Sequence, residues 1–171
     1  IDQKGAAITL LAAHFFEKLE KMGIPTHYTG LVEDGKVKKL SEVQTPVNRM
    51  DVKLLRVLPP KLNDGRYDYS SYANEDANFL IPLEIIYRNS LPVGSSVFKR
   101  LEMGHVTPED LGLKEMPKPG MKPDKPILDV STKLEVTDRY LKWDQAQQIS
   151  SLSNSEIADL KKLVLLINEM I

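Results

Sequence analysis

Residues Ile81–Leu101 read "IPLEIIYRNSLPVGSSVFKRL". The first half is rich in β-branched and aromatic residues and predicts a strand. Period two places Leu83, Ile85 and Tyr87 on one face and Glu84, Ile86 and Arg88 on the other. Glu84 and Arg88 lie four residues apart, about 13 Å at ~3.3 Å per residue, so each needs its own partner if that face is buried. The strand then delivers Arg88 into a loop of Asn, Ser, Pro and Gly. Two readings stand side by side. Either Glu84 and Arg88 are surface charges on a solvated face, or a core strand carries a guanidinium to a site for an anionic small molecule. Gly94 permits close backbone approach. Ser95 and Ser96 offer hydroxyls and amides ahead of a short helix, where they either cap it or receive a carboxylate or phosphate. Lys99 and Arg100 read as solvated.

Outward from this stretch, the chain order is helix, several strands, then helices, which predicts an α+β fold. Ile8, Leu11, Phe15, Leu19 and Met22 step by three or four along a helix over 4–22, stopped by Gly23 and Pro25. A hairpin is expected in "IPTHYTGLVEDGKVKKL", with Asp34-Gly35 as the turn. "VKLLRVLPP" reads as a strand ended by two prolines, and "NDGRYDYSSYANEDAN" as an irregular excursion. After a long connection over 102–126, "PILDVSTKLEV" reads as a short strand entering a polar loop. "WDQAQQI" is helix-like. The final helix begins at "SNSE", where Ser153 and Glu156 have capping-box spacing, and presents Ile157, Leu160, Val164, Ile167 and Ile171 on one face.

Composition narrows the function classes. The 171 residues carry 23 basic and 24 acidic side chains, a net charge of −1 that supplies no global field toward nucleic acid or anionic lipid. No apolar run approaches the ~20 residues of a membrane span. The absence of cysteine excludes disulfides, thiolate zinc sites and cysteine nucleophiles, and makes a cytoplasmic protein the simplest reading. The length suits one domain, or two small lobes sharing a core. The chain opens and closes inside helix patterns, so it reads as a piece of a longer protein.

Other polar groups carry weaker signals. Asp129, Lys133, Glu135, Asp138 and Arg139 fall within eleven residues. They suit a solvated loop, or a lysine beside carboxylates for phosphate and Mg²⁺. His14, His27 and His105 show no metal spacing, and Phe98 and Trp143 read as packing residues. Neither a P-loop nor a Rossmann fingerprint is present. No catalytic residue and no metal ligand is assigned from spacing.

Three blocks in order resemble the SAICAR synthetase (phosphoribosylaminoimidazole-succinocarboxamide synthase) family. "DQKGAAITLLAAHFFEKLEKMGIPTHYTGL" resembles its D-x-K-G helix and "GIPT" strand. The opening stretch resembles its P-[VL]-E-x-[VI]-x-R-N-x-x-x-G-S block, and "KPILDVSTKLEVTDRYL" its PP-[IL]-x-x-x-[ST]-x-K-x-[ED] segment. "SNSEIADLKKLVLLINEMI" resembles the long helix after that segment. The Arg88-to-serine loop is one residue longer than the usual spacing, which leaves Ser95 and Ser96 as alternatives. The Tyr-rich excursion at 63–78 also lengthens a connection. The family's N-terminal Gly/Lys loop, its C-terminal D-F-K-x-E strand and a later acidic Mg²⁺ motif are not in this sequence.

The resemblance implies a two-lobed fold of antiparallel sheets flanked by helices, distantly kinase- or ATP-grasp-like. Residues 1–171 would form one SAICAR synthetase domain incomplete at both ends, with 1–80 in the N-terminal lobe and 81–171 in the C-terminal lobe. It implies an ATP-dependent ligase that joins L-aspartate to carboxyaminoimidazole ribonucleotide (CAIR), with ATP as co-substrate, Mg²⁺ and a homodimer. Arg88, Gly94 and Ser95 or Ser96 would bind CAIR; Lys133, Glu84 and Asp138 would lie toward the nucleotide. Another kinase-like or ATP-grasp-like enzyme, or a non-catalytic nucleotide-binding module, is the competing expectation.

Overall fold

The computed structural model describes residues 3–170. Asp2 of the D-x-K-G stretch and Ile171 of the final apolar face lie outside the described residues. Contacts divide the chain into two compact units, Ile1–Leu55 and Arg56–Ile171.

The first unit packs one helix on a small sheet. Helix α1 spans Lys4–Lys21 and ends where Gly23 turns left-handed at φ 76°, its N–H donating to the Glu20 carbonyl. Lys18 and Lys21 in the last turn suit the negative end of the helix dipole. Ala13 is buried against Tyr28 and Leu31, with Leu10 and Phe16 beside them. The sheet has order β2-β1-β3, from β1 (Tyr28–Glu33), β2 (Lys36–Lys38) and β3 (Met50–Val52), all antiparallel. Asp34 and Gly35 both take positive φ, 50° and 74°, as the expected tight hairpin requires. Gly30 is also required, because a Cβ there would lie 2.5 Å from Val37 Cγ1 and 2.8 Å from the Lys38 carbonyl.

Buried Glu33 fastens the loop between β2 and β3. Its carboxylate accepts from the Gln44 and Thr45 amides, the Thr45 hydroxyl and Lys38 Nζ. The Lys38 contact, with the Thr45 bonds after it, holds its pKa down to about 2.

The expected strand through residues 52–60 is shorter than its composition suggests. β3 stops at Val52 because its partner β1 begins at Tyr28, opposite Val52, and offers no strand to residues 54–60. Leu54 is 85% exposed, and the Arg56 backbone pairs with Phe79 only as an isolated bridge. The supposedly irregular excursion instead opens with a hairpin, β4 (Lys61–Asn63) with β5 (Arg66–Asp68), turned by Asp64 and Gly65 at φ 48° and 77°. A 3-10 turn at Ser70–Asn74 comes next and buries Tyr72. These residues, placed with the N-terminal lobe from sequence, make their contacts within the second unit.

The rest of that unit is built on two antiparallel strands, β6 (Leu83–Arg88) and β7 (Ile127–Thr132). Helix α2 (Ser96–Glu102) and the long connection form one apolar core with Leu91, Val97, Leu101, Leu111, Leu113 and Ile127. Helix α3 (Trp143–Ser150) forms another with Val130, Leu141 and Ala146. Helix α4 (Asn154–Met170) starts at the expected capping box: the Ser153 N–H donates to Glu156 Oε2 at 2.8 Å, and the Glu156 N–H to Ser153 Oγ at 3.3 Å. The α+β class read from the element order is the one observed.

Candidate functional site

The register of β6 and β7 decides which polar groups meet. Glu84 lies opposite Ser131, Ile86 opposite Asp129 and Arg88 opposite Ile127. Side chains opposite one another share a face, so Glu84, Arg88, Asp129 and Ser131 line the same side of the ladder. Asp129 is the diagonal neighbour of Arg88, and Lys133, just past the strand, is that of Glu84. The two charges that could not pair along one strand thus find partners across it. Arg88 Nε donates to Asp129 Oδ2 at 3.1 Å, and Lys133 Nζ to Glu84 Oε2 at 3.1 Å.

These pairs sit in different surroundings. Lys133 and Glu84 are both about half exposed, in the range where an ion pair contributes ~0–1 kcal/mol. The Asp129 carboxylate is 4% exposed and the Arg88 side chain 18%. A second guanidinium, Arg100, grips both oxygens of Asp129, Nη1 reaching Oδ1 at 3.1 Å and Nη2 reaching Oδ2. The sequence places Arg100 in solvent, whereas it is 9% exposed. The helical phase explains this: Val97, Arg100 and Leu101 share the buried side of α2 by their i, i+3, i+4 spacing. Lys99 is exposed, as read from sequence.

Two guanidiniums against one carboxylate leave a formal positive charge in a largely water-excluded cluster. The Tyr140 ring takes up part of it, lying 3.7 Å under the Arg100 guanidinium. The Arg100 Nε–H is buried without a hydrogen-bond acceptor, so that cation is held by its fork and the ring alone. Arg88 is fixed through Nε and turns Nη2 toward two hydroxyls, Tyr140 Oη at 3.2 Å and Ser96 Oγ at 3.4 Å. Those hydroxyls are 2.9 Å apart and share a hydrogen bond.

The two serines therefore separate by geometry. Ser96 Oγ joins Arg88 and Tyr140, whereas Ser95 caps α2, its Oγ accepting from the Val97 N–H at 3.4 Å. Gly94 has open space where a Cβ would stand, leaving its backbone accessible. Asp138 is exposed. Sequence reasoning does not single out Tyr140 or the hub role of Asp129. A lone Asp inside the apolar run "ILDV" is the available signal, since a buried carboxylate demands partners.

Asn89 is held just beyond Arg88 by a reciprocal amide pair with Asn168, at 2.7 and 3.0 Å, which ties the strand exit to α4. Beside Asp129, a cleft of about 840 Å³ is lined by Arg100, His105, Tyr140, Lys142 and Trp143 among others.

Carboxylates near Lys133 are already committed. Asp129 serves two arginines, Glu84 serves Lys133, and Glu135 takes Arg139 and Tyr69. Among the described residues no three His, Cys, Asp or Glu side chains converge as a metal site, so the stretch does not by itself fit an Mg²⁺ ligand set. No helix among them is long and apolar enough to cross a membrane.

A sequence model of SAICAR synthetase matches residues 1–171. The chain belongs to the SAICAR synthetase family. It is 52% identical over 171 residues to an Archaeoglobus fulgidus protein named as a candidate phosphoribosylaminoimidazole-succinocarboxamide synthase, covering all of this chain and 50% of that one. It is 30% identical over 170 residues to the Thermoplasma acidophilum phosphoribosylaminoimidazole-succinocarboxamide synthase, covering 99% of this chain and 49% of the relative. A solved SAICAR synthetase in complex with ADP superposes with a TM-score of 0.58 at 24% identity, over 99% of this chain and 50% of that one. A Pyrococcus horikoshii SAICAR synthetase gives the same score and identity over 99% and 52%. The likeness to these two structures is one of fold. The chain spans about half the length of the relatives it matches. In SAICAR synthetase terms, the R-N-to-G-S block is the end of β6, its loop and the start of α2.

Proposed function

We propose that this chain supplies the acidic-substrate side of an ATP-dependent ligase that joins L-aspartate to the carboxylate of CAIR, giving SAICAR in purine synthesis. The observation that carries the reading is the Arg88 guanidinium, fixed at Nε by Asp129 with Nη2 beside the Ser96 and Tyr140 hydroxyls. A carboxylate is a poor acyl donor, because oxide is a poor leaving group. A CAIR carboxylate oxygen attacks the γ-phosphorus of ATP, forming an acyl phosphate as ADP leaves. The aspartate amine then attacks the acyl carbon, phosphate departs, and the nitrogen loses a proton to give the amide. Each step moves or creates anionic charge, so positioning and fixed positive groups do most of the work.

Arg88 binds an oxyanion of CAIR in this scheme, with Ser96 and the Gly94 backbone beside it. Ser95 holds the start of α2 in place. Lys133 and Glu84 lie toward the nucleotide, and Asp138 is the outermost candidate there. ATP is the co-substrate. Mg²⁺ belongs to the same proposal and would neutralise phosphate charge, but no step is assigned to it through the residues present. Homodimeric assembly and a cytoplasmic setting complete the proposal.

The test uses full-length protein. ADP release that requires both CAIR and aspartate supports this reaction over that of another ATP-dependent enzyme. Arg88→Ala is expected to lower kcat/KM for CAIR at least ~100-fold, since losing a charge-assisted contact costs roughly 3 kcal/mol. Near-wild-type kinetics in that variant would refute the assignment.

A further inference from the structure

The Tyr-rich excursion at 63–78 is the part of the chain that the family resemblance leaves without a role. Its hairpin and 3-10 turn place two tyrosine hydroxyls on the loop after β7. Tyr69 is 8% exposed and donates its hydroxyl to Glu135 Oε1 at 2.8 Å. Tyr67 Oη accepts the Val136 N–H at 3.0 Å. These bonds join residues 66 and 69 positions apart in sequence, so they are tertiary ties rather than local turn chemistry.

Glu135 is the pivot. Its side chain is only 3% exposed, although its loop is otherwise open to solvent. Besides the Tyr69 hydroxyl it accepts two bonds from Arg139, from Nε at 3.2 Å and Nη2 at 2.8 Å. Burial alone would raise its pKa, yet the Arg139 and Tyr69 bonds outweigh burial and hold it below the usual carboxylate range. The ends of the loop are closed by the Thr132 N–H donating to the Arg139 carbonyl at 2.9 Å and the Arg139 N–H to Thr132 Oγ1 at 3.0 Å. Lys133 is the first residue inside that closed loop, with its N–H on the Pro82 carbonyl.

The excursion is itself anchored. Tyr72 is 1% exposed, donates its hydroxyl to the Leu58 carbonyl at 2.9 Å, and packs its ring against Phe79. Asp68 accepts the Ser70 N–H and fixes the change of direction between hairpin and turn. An anchored base thus presents Tyr67 and Tyr69 to a loop whose Val136 side chain is 92% exposed.

We infer that Tyr67 and Tyr69 are positioning residues: through Glu135 and Val136 they set the loop that carries Lys133, and so tune how the site engages the phosphates of its nucleotide. This rests on the placement of Lys133 toward ATP under the proposed function. It goes beyond it by giving the extra connection a task. Neither tyrosine touches substrate; each acts through the loop.

The test is Tyr69→Phe and Tyr67→Phe in full-length protein, separately and together, with KM for ATP, KM for CAIR and kcat measured alongside hydrogen exchange. Each change keeps the ring and removes one hydroxyl. Expected for Tyr69→Phe and for the double variant is a rise in KM for ATP of about fivefold or more, with KM for CAIR within twofold of wild type. Faster exchange at the Val136 amide is expected wherever Tyr67 is changed. A lower melting temperature with KM for ATP unchanged would make the tyrosines merely structural and overturn the inference. Equal rises in both KM values would overturn it too. If wild-type protein shows no CAIR- and aspartate-dependent ADP release, the reaction assignment fails first. The exchange measurement then still reports whether Tyr67 restrains the loop.

Discussion

Replacing Asp129 by Asn tests the centre of the site with almost no change in shape. Asp129 is 4% exposed and is the shared anion of two guanidiniums, each with a contact at about 3.1 Å. An amide can accept only at its oxygen and carries no charge. The substitution therefore leaves two neighbouring cations, one of them 9% exposed, without a counter-ion. Breaking a buried ion pair by removing one partner costs roughly 3–5 kcal/mol, because the remaining charge stays desolvated. For a chain of this length each kcal/mol moves the melting temperature by about 2–4 °C, so the expected fall is about 6–20 °C.

The measurement is urea unfolding monitored at Trp143, together with a thermal scan. The double variant Asp129→Asn with Arg100→Met separates charge from packing. If the cost comes from uncompensated cations, removing Arg100 as well restores part of the loss, so the two substitutions are strongly non-additive. A single-variant loss under about 1 kcal/mol, the range of an exposed pair, would refute the buried hub. A double variant whose losses simply add would refute the charge argument.

The serine pair should divide by assay: Ser95→Ala costs about 1 kcal/mol of stability at most as a lost cap with little effect on KM for CAIR, whereas Ser96→Ala raises that KM several-fold. Equal effects of the two in kinetics would contradict the division. Glu33→Gln should lower the melting temperature at pH 7. Because the Glu33 pKa is depressed to about 2, its contribution is complete above the unfolded value near 4.5 and fades as pH falls toward 2, so the gap between variant and wild type should narrow across that window. A gap that stayed constant from pH 7 to pH 3 would show that the charge of Glu33 is not what matters.

Local chemistry is legible in the sequence, and pairing across the chain is not. Asp34-Gly35 and the Ser153/Glu156 box are signals contained within a few residues, and both elements form as read. Asp64-Gly65 carries the same turn signal, but its flanks "KLN" and "RYD" are three residues long and each offers one apolar side chain, Leu62 opposite Tyr67, so the hairpin is hidden. The run "VKLLRVL" has strand composition without a strand partner, which no local pattern reveals. Arg100 is misplaced by weighing charge above phase, although Val97 and Leu101 on either side mark its face as buried. Arg88 is identified through its motif, yet its partners Asp129 and Tyr140 lie 41 and 52 residues away. The β6–β7 register brings in Asp129, and the bridge from Ser131 to Tyr140 beside it brings in Tyr140.

That register also explains why two arginines are needed. An Asp129 paired only with Arg88 could engage both Nε and Nη2 in a two-point fork, which would draw an Nη2 N–H away from the hydroxyls. Arg100 occupies Oδ1 and shares Oδ2, which leaves Arg88 a single bond through Nε. Its Nη2 is thereby directed toward Ser96 and Tyr140. A lysine at position 88 could not divide itself in this way, since an ammonium has one centre and no second edge. Under the proposed function, Arg100 thus leaves Arg88 Nη2 turned toward the two hydroxyls while remaining buried itself, and the formal positive charge left over is what a bound oxyanion would neutralise.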